Sequence, residues 1–296
     1  GVEIRQAGSN PQFTCNDIHH GQTCGVFVMD EGEGIFDEND IHANGAAGVL
    51  ISEKGSPTAR NNRIFEGKTV GVQVLDGGRG IFVGNAIFKN EDDNVEVSRA
   101  GHPHMADNTI TECMAGSGLH AHDGGLGVFE GNTISGNKLH GVHIQTSAEP
   151  RLVRNTITKQ VLAGIMVSDA GRGSLSENDV FANGTAGCVI TTAGDPSCYK
   201  NKFHDEARHA FLVSGAGVGG LEENEIFNIQ SHAIVIEGSG SAPILTGNNV
   251  HDCAAVGVCV RLAAQGKLAD NVITRMAASG VSVQDEGSTP ILSGNR

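Results

Sequence analysis

Apolar and polar residues alternate in short stretches that recur along the whole chain. Most repeats contain a glycine followed by an apolar, a variable and an apolar residue, as in residues 25–28 (Gly-Val-Phe-Val), 141–144 (Gly-Val-His-Ile) and 280–283 (Gly-Val-Ser-Val), and Asn94, Ala210 and Ala233 replace this glycine in three repeats. Alternation with a period of two is typical of a β-strand that buries one face. The pattern therefore predicts many short strands, each with one inward face.

Asparagine marks one position of every repeat. It occurs at positions 16, 39, 62, 85, 108, 132, 155, 178, 201, 224, 248, 271 and 295, and the twelve intervals comprise nine of 23 residues and three of 24. An apolar residue follows two positions after each of these asparagines wherever the chain continues. Asparagine tolerates the left-handed backbone of a sharp turn, and stacked amides form hydrogen-bonded ladders. We therefore expect this column to stabilise a stack of turns.

Proline and glycine alternate five residues before these asparagines. All seven prolines of the chain occupy this position, and glycine fills it in the repeats between them. Proline has no N–H group, so the position is predicted to lie outside the hydrogen-bond ladder between coils. Glycine lacks the Cβ that would meet a stacked proline ring. The repeating unit is thus a module of two coils.

These periods predict an all-β fold, a single-stranded right-handed parallel β-helix of about 12 to 13 coils of 23 or 24 residues. The unbroken register predicts one solenoid domain over residues 1–296. The chain begins at a glycine position without an initiator Met and stops just after an asparagine position, so we expect it to be a fragment of a longer protein. Uncapped end coils would permit end-to-end self-association.

Composition limits the partners. The formal net charge of −14 disfavours nucleic acid and anionic membrane surfaces, and no run of 18 apolar residues offers a membrane span. The seven cysteines are odd in number and form no recognisable framework, which favours a reducing compartment and predicts a cytoplasmic or nuclear protein. No metal and no cofactor is predicted.

The candidate functional residues lie at the outward positions of the strands that follow the repeated glycine. Stacking places Glu96, His120 and His143 on neighbouring strands about 4.8 Å apart, and His122 follows on the strand of His120. The apolar residues of the same row flank this polar centre. The predicted binding surface comprises Gln73, Asp76, Glu96, Arg99, His120, His122, Asp123, His143, Gln145, Met166, Leu212 and Val235.

Three interpretations of this surface compete. As an enzyme site, His120, His122, His143, Glu96 and Arg99 would exchange protons with a uronate polymer. As a zinc site, the three histidines would supply three nitrogens. As a solvated or docking face, the surface would bind a protein or peptide segment, which the long apolar flanks favour. The absence of Trp and the single Tyr199 weigh against a carbohydrate ligand.

The alternating module, seen in residues 25–41 and again in residues 48–64 with proline in place of Gly34, resembles the parallel β-helix region of the β-helix F-box proteins. The resemblance implies a pectate-lyase-like solenoid that recognises protein substrates for a ubiquitin ligase and has no catalytic activity of its own. The F-box and the zinc-finger module of that family are not in this sequence. Similar repeats occur in carbohydrate-active proteins, so a polysaccharide lyase or C5-epimerase is the alternative.

Overall fold

A computed structural model describes every residue from Gly1 to Arg296. The chain forms only short strands and turns, and the strands pair in parallel. It divides into two compact units, of which the first comprises Gly1–Val142 and Ala148–Thr156 and the second comprises His143–Ser147 and Ile157–Arg296. The structure holds no helix that could cross a lipid bilayer.

The strands of the first unit form three parallel sheets, named here by their order in each coil. The first sheet contains Val2–Ile4, Val26–Val28, Val49–Ile51, Val72–Val74, Val95–Val97 and Leu119–Ala121. The second contains Gln12–Thr14, Ile35–Asp37, Thr58–Arg60, Ile81–Val83, His104–Ala106, Val128–Glu130 and Arg151–Val153. The third contains Asp17–His19, Asp40–His42, Arg63–Phe65, Ala86–Phe88, Thr109–Thr111 and Thr133–Ser135.

The second unit repeats this plan. Its first sheet contains Ile165–Val167, Ala186–Ile190, His209–Val213, Ile234–Glu237, Val258–Arg261 and Val281–Val283. Its second contains Ser174–Ser176, Ser197–Tyr199, Gly220–Glu222, Ile244–Thr246, Lys267–Ala269 and Ile291–Ser293. Its third contains Asp179–Phe181, Lys202–His204, Glu225–Phe227, Asn249–Cys253 and Val272–Met276. Two further strands, Val142–Ile144 and Thr156–Thr158, include residues of both units.

The core lies between the three sheets of each coil. In one coil of the first unit, Val72 and Val74 from the first sheet, Phe82 from the second and Ile87 from the third are all fully buried. Ile87 pairs in register with Ile64 of one neighbouring coil and Ile110 of the other. Like residues therefore stack on like residues, and each coil buries its apolar face mainly against its neighbours.

The asparagine column forms the predicted ladder. Asn62 Oδ1 accepts hydrogen bonds from the backbone N and from Nδ2 of Asn39, each at 2.9 Å, and Asn39 Nδ2 also donates to Phe13 O. The expected left-handed backbone lies one residue earlier than predicted, as at Glu38 and Asn61. The column thus serves hydrogen bonding, and the residue before it makes the turn.

The proline and glycine positions fit together as the sequence predicts. A Cβ on Gly127 would lie 2.9 Å from Pro103 O and 3.1 Å from Pro103 Cδ, and Gly219 meets Pro196 in the same way. These glycines also have positive φ angles, 119° at Gly127 and 105° at Gly219. Proline in every coil would therefore be excluded both by contact and by backbone conformation.

Glu206 in the second unit is a buried carboxyl group that the sequence analysis did not single out. Its Oε2 accepts a hydrogen bond of 2.8 Å from Asn183 N, and its Oε1 accepts one of 2.9 Å from Asn183 Nδ2. The side chain is fully buried, and this burial raises the pKa of Glu206 from 4.5 to about 7. The folded state therefore favours the protonated form.

Glu206→Gln is expected to stabilise the protein above neutral pH. Because the pKa of Glu206 is higher in the folded chain than in the unfolded chain, stability falls as pH rises from about 4.5 to about 7. The neutral amide of the variant keeps an acceptor for Asn183 and removes this loss of folding free energy, which is on the order of 1 to 3 kcal/mol. Urea denaturation of the parent and the variant at pH 5 and pH 8 measures the difference in their free energies of unfolding. Equal stabilities of the parent and the variant at pH 8 would contradict the burial argument.

Candidate functional site

The polar centre of the first unit lies on the outer face of the first sheet. Gln73, Glu96 and His120 occupy the middle positions of three adjacent strands, with Gln73 in register with Glu96 and Glu96 in register with His120. All three side chains are partly buried. The predicted stacking of these residues is therefore confirmed within the first unit.

His120 is held by a carboxylate that the sequence analysis missed. Asp93 Oδ2 lies 2.9 Å from His120 Nδ1, and Asp93 Oδ1 accepts a hydrogen bond of 2.5 Å from Ser117 N. Asp93 is only 8% exposed. When Nδ1 carries the proton and donates it to Asp93, Nε2 of the neutral ring is left with its lone pair. Asp93 thus orients the imidazole and selects its tautomer.

His122 lies beside His120 and contacts two further carboxylates. The two ring centroids are 4.6 Å apart, and His122 Nδ1 and Nε2 lie 2.9 Å from Asp123 Oδ2 and 3.4 Å from Glu96 Oε1. The contact with Glu96 is the main reason that the pKa of His122 is raised, and the same contact lowers the pKa of Glu96. Gln73 Nε2 also donates to Glu96 Oε1 at 3.0 Å. Both shifts favour a protonated His122 paired with an ionised Glu96.

Arg99 forms an ion pair with Asp76 of the neighbouring coil. Its Nε donates to Asp76 Oδ1 at 2.6 Å and its Nη2 to Asp76 Oδ2 at 3.2 Å. This bidentate pair lowers the pKa of Asp76 and raises that of Arg99. Both side chains are about half exposed, so the pair adds little stability. The predicted residues Asp76 and Arg99 form the edge of the polar centre.

Other predicted residues belong to the second unit. His143 Nε2 lies 3.1 Å from Ser168 Oγ within that unit, and Gln145 follows it on the chain. Met166 and Leu212 are partly buried and pack against a cluster of Ala163, Ala186 and Val189. They therefore offer less apolar surface than their outward positions suggest.

The prediction that Val235 faces solvent is wrong. Its side chain is fully buried and packs with Val256 and Cys259. Val256 stands immediately before the glycine of the next coil, and its side chain covers the outward face of the strand Ile234–Glu237. The apolar part of the predicted binding surface is thus partly closed by the protein itself.

No group of three or more histidine, cysteine, aspartate and glutamate side chains is arranged to hold a metal ion. The zinc interpretation of the histidines therefore has no geometric support. The arrangement suits proton transfer instead, because two adjacent imidazoles each contact a carboxylate through Nδ1. A neutral His120 can accept a proton at Nε2, and a protonated His122 can donate one.

Glu96→Gln is expected to lower the pKa of His122. The ionised carboxylate of Glu96 is the main stabiliser of the charged imidazole, and a neutral amide cannot replace it. Titration of the imidazole resonances by NMR measures the change. Asp123→Asn serves as the comparison, with a smaller decrease because Asp123 contributes less. A His122 pKa that stays in place in Glu96→Gln would contradict the pairing.

The glycine that precedes each strand of the first sheet forms a column through the stacked coils, called here the glycine column. One position of this column, occupied by Asn94, lies next to the site. Glycine is needed there for close approach of the coils: a Cβ on Gly71 would lie 2.5 Å from Asn90 Nδ2 and 2.6 Å from Asn94 O. The backbone at this position is not left-handed, so glycine is favoured there by the lack of space for a side chain and not by a positive φ angle. Asn94 replaces the glycine at the start of the strand that carries Glu96, directly after Asp93.

Solved structures share this fold. The periplasmic alginate epimerase AlgG is 13% identical, with 99% of this chain and 76% of that chain covered and a TM-score of 0.64. The A-module of mannuronan C-5 epimerase AlgE6 from Azotobacter vinelandii is 14% identical, with 100% and 90% covered and a TM-score of 0.59. The catalytic unit of a GH87 α-1,3-glucanase from Streptomyces thermodiastaticus is 14% identical, with 100% and 63% covered and a TM-score of 0.52. At these identities the likeness concerns the fold.

A family match covers the entire chain. The family is described as the right handed beta helix region, and it matches residues 1–125, 105–242 and 189–296. Comparison with curated proteins finds no match. The predicted all-β right-handed fold is confirmed, whereas the link to F-box proteins and ubiquitin ligases gains no support from these comparisons. The chain belongs to the family of right-handed parallel β-helix proteins.

Proposed function

We propose that the protein acts on a polysaccharide by proton transfer at His120 and His122. The observation that carries this proposal is the pair of imidazoles with ring centroids 4.6 Å apart, each contacted at Nδ1 by an aspartate, on the outer face of a parallel sheet. The solved structures of the same fold include two epimerases of uronate polymers and a glucanase, which supports a polysaccharide as the substrate class.

The reaction that fits the pair is the removal of a proton from the sugar carbon beside a carboxylate. His120 Nε2 takes the proton from C5 of a uronate residue, and the C5–H electron pair moves into the adjacent carboxylate group. His122 then donates a proton. Donation by His122 to the departing O4 breaks the glycosidic bond and leaves an unsaturated sugar, whereas a proton that reaches the opposite face of C5 from solvent gives the C5 epimer.

The surrounding carboxylates assist these roles. Asp93 keeps the proton of His120 on Nδ1, and Glu96 and Asp123 keep His122 protonated. The protonated His122 supplies the positive charge beside His120 in this scheme, and Arg99 is paired with Asp76. The site therefore supplies one base and one acid from neighbouring imidazoles on the same sheet face, which suits elimination, while epimerisation would also need a solvent proton on the opposite face of C5.

A panel of polymers tests the proposal. Polymannuronate, polygalacturonate and an α-1,3-glucan are incubated with the parent protein, and products are followed by absorbance of unsaturated uronates, by NMR of epimerised residues and by new reducing ends. Turnover of one uronate polymer that disappears in His120→Ala supports the proposal. Absence of turnover on every uronate polymer, at several pH values and salt concentrations, would overturn it, and so would turnover of the glucan alone, because a glucan has no carboxylate beside C5.

The salt dependence separates charged from neutral substrates. The chain carries a formal net charge of −14, which repels a uronate polymer at low ionic strength. Salt screens this repulsion, since the Debye length falls from about 30 Å at 0.01 M to about 8 Å at 0.15 M. A uronate substrate should therefore show a KM that decreases as salt is added, whereas the KM for a neutral glucan should change little.

Docking of a protein segment is the second candidate function. It is favoured by Phe27 and Leu50, which lie in register on neighbouring strands of the first sheet and are partly exposed. Apolar side chains of this kind anchor protein interfaces. If docking is the function, Phe27→Ser and Leu50→Ser would weaken binding of the partner, and His120→Ala would matter only through its local contacts.

A further inference from the structure

Asn94 interrupts the glycine column at the coil that carries the proposed site. Its side chain is fully buried. In the next coil the same position is Gly118, where a Cβ would lie 2.7 Å from Asn137 Nδ2. A side chain at this position therefore projects into the space that the buried amide of Asn137 occupies in that coil. Asn94 must either hydrogen-bond with buried amides of this kind or displace them.

The buried amides form a second ladder, distinct from the one that marks each repeat. Asn44, Asn90 and Asn137 occupy it in alternate coils of the first unit, and Gly21, Gly67 and Cys113 hold the positions before them. In each case the backbone N of the glycine or cysteine donates a hydrogen bond of 3.0 to 3.1 Å to Oδ1 of the asparagine that occupies the same position in the next coil. The ladder thus lacks an amide side chain at the level of Cys113.

Asn94 supplies that missing amide. Asn90 Nδ2 donates to Asn94 Oδ1 at 2.9 Å, and Asn94 Nδ2 donates to Asn137 Oδ1 at 3.1 Å and to Thr111 O at 2.8 Å. Three hydrogen bonds therefore tie the side chain to three other turns or strands. Removal of this side chain would leave buried donors and acceptors of Asn90, Asn137 and Thr111 without these partners, which is costly in a protein interior.

The backbone around Asn94 is fixed on both sides. Asn94 N donates to Ser117 O at 3.1 Å, Asn94 O accepts from Val72 N at 2.9 Å, and Asp93 O accepts from Gly71 N at 3.1 Å. Ser117 N also donates to the Asp93 carboxylate. The orientation of Asp93 is therefore set by the same short segment that Asn94 anchors through its side chain.

We propose that Asn94 is a positioning residue, which holds the carboxylate of Asp93 on Nδ1 of His120 and so keeps His120 in the tautomer with a basic Nε2. Its relevance to catalysis rests on the proposed function, but its effect on the imidazole does not. A side chain that orients a base in this way changes the turnover rate more than the binding of substrate.

The test uses Asn94→Gly, which restores the residue that most coils carry at this position, and Asn94→Ala, since Ala210 and Ala233 fill it elsewhere. The matched control is Asn44→Gly, because Asn44 is equally buried in the same ladder and bonds Ile18 O and Gly21 N away from the site. The His120 tautomer is read from the ¹⁵N shifts of its two ring nitrogens, alongside the melting temperature.

Both Asn94 variants are expected to shift His120 from the Nδ1-protonated toward the Nε2-protonated tautomer and to lower kcat roughly 10- to 100-fold with little change in KM. Asn44→Gly should lower the melting temperature to a similar extent and leave the tautomer in place. An unchanged tautomer in both Asn94 variants overturns the proposal, whatever their activity. A shifted tautomer in a protein whose parent turns over no polymer supports the positioning role and refutes the proposed function instead.

Discussion

Ile87→Asp is expected to unfold the central coils of the first unit. Ile87 is fully buried and stacks between Ile64 and Ile110, so the carboxylate would face apolar side chains of two neighbouring coils. Burial of an unpaired charge belongs to the substitutions that cost more than about 4 kcal/mol. Because each coil is stabilised mainly by its neighbours, the loss should spread beyond one coil. Far-ultraviolet circular dichroism during thermal and urea denaturation measures it.

The control for this variant is Ile81→Asp in the same coil. Ile81 lies on the second sheet and is 44% exposed, so its replacement leaves the new charge in water. We expect a melting temperature close to that of the parent. Equal melting temperatures for Ile87→Asp and Ile81→Asp would contradict the stacked core.

His120→Ala is expected to reduce kcat about 10²- to 10⁴-fold, the usual contribution of a general base. The KM should change little, because the imidazole acts mainly in the transition state. Steady-state kinetics on the polymer that the parent turns over give both values. His104→Ala is the matched control, since His104 is an exposed histidine on the second sheet of the same unit. A kcat reduced equally by both substitutions would remove His120 from the mechanism.

The fold could be predicted almost completely from the sequence, because stacking demands the same residue type at the same place in every coil. The asparagine column and the proline and glycine positions recur every 23 or 24 residues, and each corresponds to a ladder or a turn in the structure. Backbone conformation was less predictable. Glutamate at Glu38 has a φ of 55°, and nothing in that residue type indicates a left-handed turn.

The candidate site could be predicted only in part. Glu96 and His120 share a strand position, so the repeat itself brings them together. Asp93 and His120 are 27 residues apart, which is not the repeat interval, so the contact depends on how the turn before the glycine folds over the next coil. One signal was available: Asp93 is the only carboxylate in the row of residues that precede the glycine column.

Val235 shows the same limit for apolar residues. Its place on the strand, in register with Leu212 and Cys259, predicts an outward side chain, yet Val235 is as buried as Ile234 and Ile236 on either side of it. The cover comes from Val256 in the following coil, which the alternation within one strand cannot reveal. The second ladder, in contrast, was visible in the sequence at Asn44, Asn90 and Asn137, and it explains why Asn94 stands where most coils have glycine.

Deuterium incorporation at C5 of a uronate polymer tests proton transfer at His120 and His122. The parent protein is incubated in D₂O with polymannuronate and with polygalacturonate, and the C5 positions of the recovered polymer and of any fragments are examined by NMR. Proton transfer at His120 and His122 predicts deuterium at C5, or an unsaturated end that lacks the C5 hydrogen, formed by the parent and by His104→Ala and lost in His120→Ala. Uronate polymers recovered with every C5 hydrogen in place, or deuterium that enters equally with His120→Ala, would exclude His120 as the base that removes the C5 proton.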